Sequence, residues 1–431
     1  MKRLIFSFSV IIYSIVLSAQ QPLSLQDCRR MALDFSETMK TADNAVRQAE
    51  LDEQIAKASY LPKIDGSITS VFMKDQDVLG MSLQTRGAYL AGINLTLPLY
   101  VGGQLTAANH LARISKEVSK EQLRQNRMRL IADVDQAYYQ LIAVQSKVQL
   151  TEALERQLQS LYDKVALSVR AEMATDNELL RISAKQSEVN YQLQKARNGE
   201  QLCQLVLANL IGTDFNQTVI PTDTLLSTVL TPLSEDISNR PEVFLLSKQI
   251  EAKQAQLKIA HSNFLPTLAL VGGWSHYGNL KMKGAISNLD GTPIHIDHTF
   301  SGGNPMAMLQ LSVPLFHWGA EFKKAKKAVI DIENARLQQQ QAERGMRIEV
   351  RQAVQNVTNG YRMIETAQLA QQQADENLRQ MRQKYDNQIA TMTDLLEAQS
   401  LWQQAHSNYI EAQTQYKIYE TEYLRVTGRL E

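Results

Sequence analysis

The sequence predicts an α+β membrane protein built as an internal twofold repeat, each half supplying a pair of β-strands and one very long helical hairpin. Three observations carry this expectation: a duplication with nearly constant offsets, strands that alternate apolar and polar residues, and long proline-free stretches with a coiled-coil seam.

The duplication comes first. Tyr60-Leu61-Pro62 recurs as Phe264-Leu265-Pro266, an offset of about 204, and Ile55-Ala56 recurs as Ile259-Ala260. Beyond that point the offset is about 216: Leu95 to Tyr100 matches Leu311 to Phe316, Ala174-Thr175 matches Ala390-Thr391, Leu179-Leu180 matches Leu395-Leu396, and Gly212 matches Gly428. The halves differ chiefly by about 12 residues between Pro266 and Pro314, which are expected in a loop. Residues 20–212 form the first repeat, with a β-hairpin near 63–97 and a helical hairpin near 104–211. Residues 239–431 form the second, with a β-hairpin near 267–313 and a helical hairpin near 319–428. The connecting segment 213–238 is expected to pack around the middle of the helical part.

In the strands, Ile64, Gly66, Ile68 and Phe72 fall on one face, with Lys63, Asp65, Ser67 and Thr69 on the other. Tyr89, Ala91, Ile93, Leu95 and Leu97 oppose Gly92, Asn94 and Thr96; Leu268, Leu270 and Trp274 oppose Thr267, Gly273 and Ser275; Leu309, Leu311 and Val313 oppose Gln310 and Ser312. Segments of about 9 to 11 residues with this alternation suit a bilayer with a polar lumen, and the plain alternative is a soluble sheet with one wet face. Between the second pair, Gly278 to Asn304 reads as a polar, glycine-rich loop. His295 and His298 lie within it, at a spacing that gives no case for a metal.

In the first helical stretch, Leu130, Val134, Ala137, Leu141, Val144 and Val148 alternate spacings of four and three, and the second half repeats the register from Met346 to Ile364. Roughly 105 residues run from Gln104 to Leu210 without proline, with a break near Arg170 to Asp176. Arms approaching 65 residues, roughly 100 Å, are expected. The second half breaks near Asp386 to Thr393. Pro62, Pro98, Pro266 and Pro314 sit where helix meets strand, since proline continues neither hydrogen-bond pattern. Tyr60, Tyr100, Phe264, Phe316 and Trp318 gather there and suit an interfacial girdle, with packing at a chain bend as the plain alternative.

The first residues read as a secretory signal at 1–19, with Lys2 and Arg3 ahead of an apolar run. Formal charge is balanced at 45 basic and 45 acidic residues, so nucleic acid is not an expected partner. Cys28 and Cys203 are too few for a disulfide scaffold, although export permits one bond. No nucleophile elbow, phosphate loop or paired metal ligand stands out; no enzyme activity, cofactor or metal is expected.

Four strands per chain pose a physical problem, because an open sheet edge in lipid leaves backbone groups without partners. Closed barrels need about eight strands or more. Copies of the chain must pool them, and symmetry allows a dimer or a trimer.

The repeat, the Leu-Pro before each first strand, the exits at Leu97 to Gly102 and Val313 to Gly319, and Asn239-Arg240-Pro241-Glu242 opening the second half together resemble the TolC-like outer-membrane efflux protein (outer membrane factor) family. The resemblance covers Leu23 to Gly428. It implies a homotrimer with a 12-stranded barrel in outer-membrane lipid, continued by a coiled-coil barrel in the periplasm. The implied function is an exit duct for efflux or type I secretion, fed by an inner-membrane pump through a periplasmic adaptor (membrane fusion) protein.

It also maps the family's pore-gate acids onto Asp394 and Glu397 within Ile389 to Ala398, where their spacing shares a helix face and threefold symmetry would make two acidic rings. An acidic helix start that complements the helix dipole is the plain alternative. The resemblance further places the gate latch at Tyr385 with Glu178, and adaptor docking at hairpin tips whose family glycines are here Glu172 and Gln388. The arginine expected two positions after the second tip is Ala390. The rival readings are a soluble periplasmic coiled-coil adaptor or scaffold and an enzyme on a helical scaffold.

Overall fold

The computed structural model describes residues 22–72, 74, 76–78, 81–84, 87–215, 217–223, 232–287, 290 and 292–431; the expected signal segment 1–19 lies outside them. In chain order the elements are β1 (Pro22–Leu23), α1 (Leu25–Phe35), α2 (Glu37–Ala58), β2 (Lys63–Val71), β3 (Gln76–Val78), β4 (Met81–Gln84), β5 (Ala88–Val101), α3 (Gln104–Arg170) and α4 (Asp176–Ile211). They continue with β6 (Ile220–Pro221), α5 (Pro241–Ser262), β7 (Thr267–Ser287), β8 (Pro293–Ser312), α6 (Ala320–Asp386) and α7 (Met392–Val426). The described residues fall into two compact units, one within 43–122 and 244–341 and one within 22–42, 123–243 and 342–431.

The first unit holds the main sheet. β2 pairs antiparallel with β5, β5 with β7 and β7 with β8. The register sets Ile64 beside Leu95, Leu95 beside Gly272 and Gly272 beside Ala307. One row over, Gly66, Ile93, Trp274 and Pro305 line up, and Leu97, Leu270 and Leu309 align nearby. Because strand side chains alternate, the apolar positions of all four strands share one face, while Asp65, Asn94, Thr96 and Ser275 share the other. That apolar face is open: Ile68 is 82% exposed and Leu309 63%. Among the described residues β2 and β8 each bond to a single neighbouring strand, so the sheet ends in two free edges.

Two expectations need correction here, and the first inter-strand connection proves to be structured. Gly278 to Ser287 and Pro293 to Asn304 lie in strands rather than in a loop: β7 and β8 have 21 and 20 residues and pair as far as Ser287 and Pro293, with one register shift between Tyr277 and Leu280. His295 and His298 therefore stand on opposite faces of β8, since odd spacings along a strand point apart; His298 packs edge-on against Phe300 at 4.7 Å. The first inter-strand connection carries two short strands, β3 and β4, and β4 pairs with the far end of β7. Finally, Pro98 does not end its strand. A register shift between Pro98 and Tyr100 absorbs the missing N–H, and β5 runs on to Val101.

The second unit is helical, and the seam residues are its core. Val134, Ala137, Leu141 and Val148 are buried on α3, as are Met346, Val350, Ala353, Val357 and Ile364 on α6. The arms of each hairpin are unequal: α3 and α6 have 67 residues each, whereas α4 has 36 and α7 has 35. The return arms stop early because Gly212 and Gly428 turn left-handed, both at φ 73°. A buried charge pair ties three helices, with Arg29 donating from Nε and Nη2 to Asp135 at 2.7 and 2.5 Å and Thr421 Oγ1 donating to the same carboxylate at 2.8 Å. Within the connecting segment, Val219 joins the core around Tyr138, and Leu233 and Ile237 pack against the cluster of Val357 and Tyr416. Cys28 and Cys203 are free thiols, and burial pushes Cys28 up to about 12.

Candidate functional site

The hairpin tips follow from local backbone chemistry. α3 ends in a Schellman turn, with Glu172 N donating to Val169 O at 3.0 Å and Met173 N to Ser168 O at 2.8 Å. α6 ends identically, with Gln388 N donating to Tyr385 O at 2.9 Å and Ile389 N to Lys384 O at 2.8 Å. The pivot residues Glu172 and Gln388 sit at φ 59° and 61°, a region that costs a side-chain-bearing residue about 1–2 kcal/mol. Gln388→Gly is therefore expected to stabilise the tip by about 1 kcal/mol, read as slower protease cleavage at residues 386–391. Faster cleavage would contradict this.

After each turn a helix starts at a threonine. At α7, Thr391 Oγ1 accepts from Asp394 N at 3.3 Å, and Asp394 Oδ2 accepts from Thr391 N at 2.9 Å and from its hydroxyl at 2.7 Å, a closed capping box. Those bonds, the backbone one first, hold the Asp394 carboxyl below the usual carboxylate range. Asp394 thus has the local capping role, and that role keeps it ionised. Glu397 lies one turn on, and both are exposed while Met392, Leu395 and Ala398 around them are buried.

At α4 the corresponding threonine, Thr175, makes no side-chain cap. The acid in the equivalent place, Glu178, instead faces Tyr385, whose phenol is pushed up to about 12 by burial and then by the Glu178 charge. Tyr385 and Glu178 are thus brought together. A phenol raised above its unfolded value of about 10 contributes stability that is complete below pH 10 and lost as pH rises through about 12. Tyr385→Phe is expected to flatten the alkaline loss of tip protection in that window, measured by protease protection of residues 386–391 from pH 9 to 12. An unchanged profile would sever Tyr385 from it.

Two arginines missed in the sequence tie the neighbouring arms. Arg181 of α4 donates from Nη1 to Thr393 Oγ1 of α7, and Arg382 of α6 donates from Nη2 to Gln157 of α3 at 3.0 Å. Ala390 makes no such bond, so polar ties close to the tips come from helix arms rather than from the turn. Only their nearness to the breaks could have singled them out.

The five aromatics lie at the strand–helix bends of the first unit and remain exposed. Tyr60 Oη donates to Thr106 Oγ1 at 3.3 Å, and Phe316 meets Trp318 edge-on at 5.0 Å. Trp318 is 87% exposed and holds φ 51°, so the chain bend presents the ring instead of packing it.

A family model for the outer membrane efflux protein matches residues 28–213 and 233–429. The pyoverdine export outer membrane protein OpmQ of Pseudomonas putida is 23% identical over 255 residues, 56% of this chain and 54% of OpmQ, so the match spans about half the length of that relative. Among solved structures, CusC shares the fold at TM-score 0.79 and 16% identity, over 94% of this chain and 92% of its own. The open-state MtrE outer membrane channel of Neisseria gonorrhoeae does so at 0.77 and 17%, over 94% and 89%, and the outer membrane protein VceC of Vibrio cholerae at 0.75 and 17%, over 94% and 96%. The family match takes in both helical hairpins and all four long strands, and the chain belongs to the outer membrane efflux protein family.

Proposed function

We propose that this chain is one protomer of a homotrimeric exit duct in the outer membrane, its four long strands pooled into a 12-stranded barrel and its helices forming a periplasmic tube. One observation carries the reading: a sheet whose exposed face is apolar across all four strands and whose edges are both free. In lipid such a face is satisfied and such edges are not, until other copies pair with them. A soluble coiled-coil adaptor has no use for that face. The matching lengths of α3 and α6 and the twin tips support a duplicated chain, with repeats at 20–212 and 239–431.

Substrates would pass from an inner-membrane pump through a periplasmic adaptor and leave by the duct, in efflux or type I secretion. Met173 and Ile389, directly after the two pivots Glu172 and Gln388, are 72% and 75% exposed, and apolar side chains held open at both tips fit adaptor docking. Asp394 and Glu397 form the gate rings, Tyr385 with Glu178 the latch, and Tyr60, Tyr100, Phe264, Phe316 and Trp318 the interfacial girdle. Opening is a rigid-body movement of the second hairpin on partner docking.

Reconstitution in planar bilayers tests this. Wild type is expected to form a low-conductance, cation-selective pore blocked by multivalent cations, and Asp394→Ala with Glu397→Ala to lose selectivity and block. A pore unchanged by the double substitution would remove the gate assignment and keep the duct. Absence of any pore would remove the duct.

A further inference from the structure

A second polar tie joins α6 to α7, away from the tip. Asp375 Oδ1 on α6 accepts from Trp402 Nε1 at 2.6 Å and from His406 Nε2 at 2.8 Å, both on α7. His406 Nδ1 in turn accepts from Gln371 Nε2 on α6 at 3.1 Å. The Trp402 and His406 rings stand 4.4 Å apart. Each arm thus supplies two residues one turn apart, and their side chains form a closed polar cluster across the hairpin.

The first hairpin provides an internal comparison. The offset of about 216 maps Gln371, Asp375, Trp402 and His406 onto Glu155, Gln159, Gln186 and Asn190. Among those four positions Gln186 Nε2 donates across the arms to Gln159 Oε1 at 2.9 Å, between neutral amides, and the nearby charged tie, Arg197 Nη2 to Glu152 at 2.9 Å, involves none of them. Both hairpins are tied at the same level, but the tie carrying charge and an imidazole is in the hairpin bearing Asp394, Glu397 and Tyr385. Trp402 lies two turns beyond Asp394 on α7, about 12 Å along the axis.

We propose that Asp375, Trp402 and His406 form a protonation-sensitive clamp that keeps α6 and α7 moving as one body, so that the gate acids are displaced only with the whole hairpin. The inference rests on the duct reading above. The groups are positioning residues: they act on the gate through α7. In the neutral state His406 donates Nε2–H to Asp375 and accepts at Nδ1. Proton uptake at Nδ1 turns the His406–Asp375 contact into an ion pair, and Gln371 answers by presenting its amide oxygen. An imidazole can gain this proton without giving up its bond to the carboxylate. The surrounding groups do not substitute for Asp375. Arg379, one turn further along α6, is held by Glu376 from Nε at 2.8 Å and Nη2 at 2.6 Å. From α4, Gln192 reaches α7 through Gln403 at 2.8 Å and brings no charge. Asp375 is 49% exposed, so the pair is screened and its effect modest.

Two measurements on the full chain test the clamp. The first needs no conductance: with Trp274→Phe and Trp318→Phe, Trp402 is the one remaining tryptophan, and contact with a protonated imidazole quenches indole emission. Emission should fall sigmoidally on acidification from pH 8 to 5, and His406→Gln should abolish the sigmoid. An emission that does not titrate overturns the clamp. The second is the rate of spontaneous, partner-free opening in planar bilayers. Wild type should open about two- to fivefold less often at pH 5.5 than at pH 7.5, and His406→Gln and Asp375→Asn should each remove that dependence. Asp375→Gln with Trp402→Gln, which transplants the tie of the first hairpin, should restore low opening without pH dependence. Emission that titrates beside an opening rate indifferent to pH and to these changes would make the cluster purely structural and sink the proposal. Emission that titrates with no pore at all would contradict the duct and leave the gating role without an object, which also ends it.

Discussion

Arg29→Met is expected to destabilise the protein by about 3–5 kcal/mol, the largest loss foreseen for a single side chain. Asp135 is 0% exposed, and its countercharge arrives from α1 through two hydrogen bonds. Taking the guanidinium away leaves a carboxylate in a core of Val134, Tyr138 and Leu141, with Thr421 Oγ1 supplying its remaining bond. An isolated buried charge is penalised far more than a buried pair is rewarded. Arg29→Met combined with Asp135→Leu should therefore lose less than Arg29→Met alone, since the double change removes both charges. Denaturant unfolding of the detergent-solubilised protein, followed by helical circular dichroism, measures both. Equal losses for the single and double variants would show that packing, not charge, governs the site.

The second large effect is Gly428→Ala, expected to cost at least about 2 kcal/mol. Gly428 ends α7 at φ 73°, and a Cβ there would stand 2.3 Å from the Asn239 carbonyl oxygen. Neither the backbone angle nor the neighbour can relax cheaply, because Arg240 beside it is buried and bonded to Glu349 at 2.9 Å. Gly345→Ala is the matched control. That glycine lies inside α6 with nothing within 4 Å of an added Cβ, so alanine should stabilise by about 0.5–1 kcal/mol. The two changes should shift the unfolding midpoint in opposite directions; a shift of the same sign would refute the argument.

Much of this architecture was legible because period and punctuation act locally. The spacing of Val134, Ala137 and Leu141 marks a buried helix stripe whatever the partner. The alternation of Ile64 with Asp65, or Ile93 with Asn94, fixes a sheet face through the pleat alone. The recurrence of Ala174-Thr175 as Ala390-Thr391 located both turns, and the structure puts a helix start at each threonine. The reach of β7 and β8 was not legible, because Gly278, Gly302 and Gly303 read as turn residues. In the sheet these glycines serve another purpose: the Tyr89 ring lies over Gly278, Tyr277 over Gly302 and Trp274 over Gly303. Glycine there makes room for an aromatic from the next strand, a cross-strand relation that no local window shows.

At the candidate gate, the helix face shared by Asp394 and Glu397 followed from their spacing, and the nearness of Tyr385 to Glu178 from the family resemblance. The capping box on Asp394 is legible in the order Thr391 to Asp394, because a threonine three residues ahead of an acid at a helix start can close it. The Arg181 and Arg382 ties were not visible, because they depend on which arms lie side by side. The same holds for the Asp375–His406 pair, whose members are 31 positions apart on two helices.

Three chains are proposed to close one barrel through β2 and β8. With Cys28 and Cys203 replaced by serine, single cysteines stepped along residues 63–71 and 293–312 in pairs, one on each strand, report the edge contact directly by oxidation in membranes. At least one register is expected in which denaturing gels show a ladder that ends at three chains. A ladder ending at two chains, or cross-links only within single chains, would contradict it.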